Sequence, residues 1–223
     1  AIRGRFRPVT NVFLDMLKKG QSQFEQESDV DDDKVCVLSE LTLRSLEDGT
    51  HSINEKDFLD RVDILCSLGQ TVLISNFHEY FKLVAFLSQF SKLKMALIMG
   101  MPNLEYIFDE KHYKHLEGGI LSAFANLFGH KIKLYLYPTI DDQGAVLNLK
   151  SFKPEPHLNG LYQYLIDNAN LEDIKKSDEK LMNIRTDQVL DMIQRGPGEW
   201  EKLVPKSVGT MIKEHALFGF PAK

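Results

Sequence analysis

Cysteine is almost absent from this chain: Cys36 and Cys66 are the only two among 223 residues. That count excludes a disulfide framework and any metal-spaced cysteine pair, and it points to a reducing, cytoplasmic compartment. Both thiols fall in apolar segments and are expected to be small buried groups. Long apolar runs are also missing. No window approaches the roughly 18 consecutive apolar residues of a spanning helix, so no membrane partner is expected. No secretory leader pattern stands at the opening, whose first residue is Ala rather than Met; a fragment is the expectation. Positive charge is not in excess: 27 Lys and Arg against 32 Asp and Glu leave a formal net charge of −5. That sign opposes a nucleic-acid surface. Arg3, Arg5 and Arg7 form the one dense basic run, at a terminus where charge is common.

Familiar chemical signatures are missing too. There is no G-x-G-x-x-G, no G-x-x-x-x-G-K-[ST] and no G-x-S-x-G. Ser75 follows an apolar segment but has no flanking glycines, so a serine hydrolase is not indicated. Repeats and low-complexity segments are absent.

What is present is a series of apolar strands, each stopping at a polar helix start. Residues 34–41, 71–75, 95–100 and 131–137 are the strands. Helical spacing covers 10–26, 53–68, 77–91, 103–109 and 116–129. Asp48-Gly49 marks a turn, and Ser52 with Glu55 forms a capping box. Val146-Leu147-Asn148-Leu149 reads as an antiparallel edge strand. Such alternation predicts an α/β fold: a mainly parallel, Rossmann-like sheet of about four strands with helices on both faces. A partial (β/α) barrel is the alternative. From Pro154 the pattern turns helical, over 157–168, 186–195 and 206–217. The division expected is an α/β domain over 1–153 and a helical extension over 154–223.

In such folds ligands bind beyond the carboxyl ends of the strands. The candidate catalytic residues there are Glu40 and His78; the candidate ligand-binding residues are Asn76, Gly100, Asn103, Gly118 and Gly119. His78 in a first helical turn would be held neutral by the helix dipole, suited to a base or a carbonyl-polarising donor. Asn76 with Glu79 also reads as a capping box, and Asn103 as an N-cap after Pro102. His112, His115 and Glu117 could approach a metal if their segment is helical, although a polar surface turn explains them as well, and no metal ligand is assigned. Gly118-Gly119 at a helix start could let backbone amides reach an anion. No cofactor can be named from these residues.

Four segments carry a family resemblance: Phe58-Leu59-Asp60-Arg61-Val62-Asp63, Gln70 to Tyr80 (QTVLISNFHEY), Met99 to Leu104 (MGMPNL) and Leu116 to Leu121 (LEGGIL). They resemble the carboxyl-terminal part of longer bacterial proteins without an established function, over about 35–218. Some of those carry automatic labels, TonB-dependent receptor or nicotinamide-nucleotide adenylyltransferase. This chain lacks the amphipathic strand series of an outer-membrane barrel, and it lacks an H-x-G-H-type nucleotide motif. The resemblance implies that the chain is a piece of something larger, with part of any site in a missing amino-terminal region.

Two functions fit. One is a non-catalytic interaction or scaffold domain that self-associates as a homo-oligomer or docks to the rest of a longer protein. The other is a small polar or anionic ligand site, or an enzyme, at the strand ends. An exposed apolar surface around Trp200 and Phe218 would favour the first.

Overall fold

The computed structural model describes residues 1–43 and 55–221. The Asp48-Gly49 turn and the Ser52 cap lie outside the described residues. The elements follow the order β1 (Ile2–Arg3), α1 (Asn11–Glu25), β2 (Leu38–Thr42), α2 (Glu55–Ser67), β3 (Thr71–Ser75), α3 (Tyr80–Leu87), β4 (Met95–Gly100), α4 (Met101–Phe108) and α5 (Gly119–Phe128). After these come β5 (Ile132–Tyr137), β6 (Thr139–Ile140), β7 (Val146–Leu147), α6 (Asn159–Asp167), β8 (Leu171–Asp173), α7 (Thr186–Gln194) and α8 (Lys206–His215). The protein is α/β, with a mainly parallel six-stranded sheet and helices around it. Two strands exceed the four read from the sequence: β1 and β8, of two and three residues. Both are too short to show a period.

Contacts divide the chain into two compact units. The first holds Ala1, residues 18–35 and residues 77–177; the second holds residues 2–17, 36–76 and 178–223.

In the first unit β4, β5 and β8 run parallel, with Leu97 beside Leu134 and Leu134 beside Leu171. Period-2 alternation puts Leu97, Met99, Leu134, Leu136 and Leu171 on one face, and all are buried. Leu83 and Val84 of α3, Leu104 and Ile107 of α4 and Leu127 of α5 are buried too. Each such side chain contributes about 1.5–3 kcal/mol when fully withdrawn from water. Ile98 and Tyr135 belong to the opposite face. Gly20 in α1 is suited to Ile98, because a Cβ there would stand 2.5 Å from Ile98 Cδ1. β6 and β7 pair only with each other as an antiparallel hairpin, Thr139 opposite Leu147. The expected edge strand thus forms its own two-stranded sheet.

In the second unit β2 lies between β1 and β3, all parallel. Leu41, Ile64, Leu65, Val208 and Ile212 reach 0% exposure. Trp200 is likewise sealed, and its indole N–H donates to the Gly196 carbonyl at 2.8 Å. Phe218 is buried as well. Both cysteines correct the sequence reading by being exposed. The strand begins at Leu38 rather than residue 34, which leaves Cys36 outside it, and Cys66 sits on the outer side of the last turn of α2.

Candidate functional site

The seven sequence-derived candidates fall in both units. Glu40 and Asn76 belong to the second; His78, Gly100, Asn103, Gly118 and Gly119 belong to the first.

Glu40 is in the middle of β2, not at its end, because the strand runs on to Thr42. Its register places Arg3 on one side and Leu73 on the other. With 0% exposure, its carboxylate needs partners, and it has them. Arg3 Nε donates to Oε2 at 2.5 Å and Nη2 to Oε1 at 3.2 Å, while the Ser75 hydroxyl donates to Oε1. A forked guanidinium–carboxylate pair is the strong form of this interaction. All of this makes Glu40 a structural anchor. Near it in sequence, Asn76 is exposed just beyond β3.

A second buried ion cluster supports the same unit. Asp57 of α2 takes Arg7 Nε at 2.9 Å and also pairs with Arg61. Arg61 Nη1 donates to the Arg5 carbonyl at 3.3 Å. Burial pushes the Arg61 guanidinium down from its ordinary value, against the pull of Asp57. Arg5 itself reaches Asp187 at 2.5 Å. The basic run at the opening is thus met, residue by residue, by carboxylates of its own unit.

In the first unit the two stretches singled out in the sequence do meet. Glu79 is the buried N-cap residue of α3, though its side chain makes no capping bond. Its carboxylate faces Lys82 at 2.9 Å and His115 Nε2 at 3.6 Å. Burial alone would raise its pKa; Lys82, a backbone N–H and His115 outweigh that and hold it below the usual range. Tyr80 donates its phenol to Asn103 Oδ1 at 2.9 Å. Tyr106 stacks on His112, ring centres 3.8 Å apart. Burial, followed by the nearby Tyr106, Glu79, Asp109 and Tyr80, pushes the Tyr113 phenol well above its ordinary value.

The capping readings do not hold. Gly100 caps α4, so Asn103 lies inside the first turn, and Glu79 rather than Asn76 caps α3. His78 precedes α3 by two residues, outside the first helical turn in which the sequence placed it. His112 and His115 take different partners, Tyr106 and Glu79, and no three-residue metal-binding group of His, Cys, Asp or Glu occurs among the described residues. Gly118 and Gly119 carry positive φ, +84° and +56°, so their role is the left-handed turn into α5.

Two charged groups escaped the sequence reading. Glu27, just past α1, accepts from Tyr135 at 2.6 Å and Lys94 at 2.9 Å and pairs with Lys133. Burial raises its pKa, but those three donors bring it down to about 2. Lys133 also reaches Glu172 at 2.5 Å. The alternation in 131–137, with Lys133 and Tyr135 on one face, was the available signal. Asp173, at the end of β8, accepts from the Leu149 N–H at 3.1 Å. Burial raises its pKa, partly offset by that N–H and by Lys150.

Of the described residues, no helix is long and apolar enough to cross a membrane. Comparison with known proteins finds no matching family model, no matching curated protein and no matching solved structure.

Proposed function

We propose that this chain is a non-catalytic interaction or scaffold domain that works as part of a longer protein. One observation supports it most directly: a row of aromatic rings in the first unit, half-buried at Phe77 and Phe86, ends in water. Phe77 and Phe86 are 5.2 Å apart, and Phe86 and Phe90 5.0 Å apart. Phe90 is 75% exposed and Leu93, three residues on, 69% exposed. Leu121, in the first turn of α5, is exposed as well, and α3 and α5 pack on each other. Exposed apolar side chains that gather into a patch mark interaction surfaces. The polar candidates add to this reading, because Glu40, Glu79 and Asn103 are engaged with protein partners. Trp200 and Phe218, whose exposure would have favoured it as well, are core residues instead.

The test compares the purified chain with Phe90→Ser/Leu93→Ser by sedimentation equilibrium, together with binding to a separately expressed amino-terminal region of the same longer protein. Association by the wild type that the double variant loses, with circular dichroism unchanged, is the expected result. A wild type that stays monomeric at high concentration and ignores that region overturns the reading.

A further inference from the structure

The first unit also contains a cleft that none of the groups above occupies. Its volume is about 560 Å³, within the range of small-molecule sites. Its wall is aromatic: Phe152 and Tyr162, ring centres 5.3 Å apart, backed by Phe108 at 5.6 and 5.5 Å. The Tyr162 phenol is committed to the Leu149 carbonyl at 2.5 Å, so its ring is what remains to the cleft. Two ammonium groups flank that wall, on Lys150 and Lys153. Both residues are exposed, and neither forms an ion pair among the described residues. Asn159 and Gly160, the first residues of α6, are also in the lining; a tight turn over Pro156–Leu158 leads into them, and the Asn159 N–H donates to the Pro156 carbonyl. Asp173 accepts from the Leu149 N–H and is also acted on by the Lys150 charge. Gln163, also in the lining, donates to Asp167 at 2.7 Å.

We propose that this cleft binds a small organic anion with a flat apolar body, its ring against Phe152 and Tyr162 and its acid group held by Lys150 and Lys153. Aromatic plates supply area at little entropic cost. Two exposed lysines in one lining favour negative charge over neutral or positive ligands. Carboxylate and phosphate share this chemistry, and the site asks only for the anion and the ring.

Naphthalene-2-carboxylate is a suitable probe, with neutral 2-naphthalenemethanol as its control and isothermal titration calorimetry as readout. Wild-type protein should bind the carboxylate about tenfold more tightly than the alcohol. Lys150→Glu/Lys153→Glu should erase that preference. Gly160→Leu should abolish binding: no atom lies within 4 Å of a Cβ there, so the chain fills open space while helix propensity improves. Phe90→Ser/Leu93→Ser should bind as the wild type does, which separates this site from the interaction surface. Equal affinity for acid and alcohol, unaltered binding in either cleft variant, no binding by wild type, or loss confined to the Phe90/Leu93 variant overturns the proposal.

Discussion

Each unit contributes three parallel strands, and the two hold their charge at different depths. In the first, β4 and β5 are lined by leucine and methionine, and the ion network of Glu27, Lys94, Lys133 and Glu172 gathers toward the strand starts. In the second, the pair Arg3–Glu40 sits inside the sheet itself, with the Ser75 hydroxyl on the same carboxylate. The four side chains of that network remain 12–26% exposed and so keep part of their hydration. An ion pair within a sheet has given up its water, so each partner depends on the other. The lesson is that similar topology need not mean similar tolerance to substitution.

The largest expected effect tests that dependence. Glu40→Ala removes the buried carboxylate that pairs with Arg3 and should cost about 3–5 kcal/mol in urea denaturation, whereas Arg3→Met/Glu40→Leu should recover most of it. A loss below about 1 kcal/mol in the single variant breaks the contrast. Next comes Tyr135→Phe in the first unit, which removes one donor from Glu27 and should cost about 1.5–3 kcal/mol, the range for hydrogen bonds to charged groups. Acid sensitivity follows. The folded-state pKa of Glu27 lies below its ordinary 4.5, at about 2. Its stabilisation is therefore complete above pH 4.5 and fades as pH falls toward 2. Glu27→Gln should flatten the wild-type stability profile in that window, and an unchanged profile shows that other carboxylates carry it. Smallest on stability is Phe90→Ser, expected within about 0.5 kcal/mol in thermal unfolding, because the ring is largely in water already. A larger cost would make Phe90 a folding residue and weaken its reading as a contact for partners.

The same contrast explains what the sequence disclosed. β3 and β4 match the strands read at 71–75 and 95–100 to the residue, because near-continuous apolar runs bounded by polar starts leave one interpretation. α1 and α7 were legible from their helical spacing. β1 and β8 were not, since two or three residues carry no periodicity and acquire their structure from the neighbours they pair with. Glu40 was found as an unusual residue, yet its partner Arg3 is 37 positions away, a distance no local pattern spans. The meeting of Glu79 with His115 joined two stretches noticed separately. The lysine-flanked cleft was invisible because residues 149–154 and 159–166 show only a loop and an ordinary amphipathic helix until they fold together.

The discontinuity of the second unit has a consequence for biosynthesis. It draws on residues 2–17, on 36–76 and on 178–223, and the contact from Arg5 to Asp187 bridges 182 positions. Everything the first unit needs has been translated by Ser177. A nascent chain can therefore complete that half while the other still waits for its last segment, Trp200 and Ile212 included. During that wait the ribosome-bound polypeptide holds Arg3 and Glu40 without the core that will seal them, and this is the interval in which chaperones have most to protect.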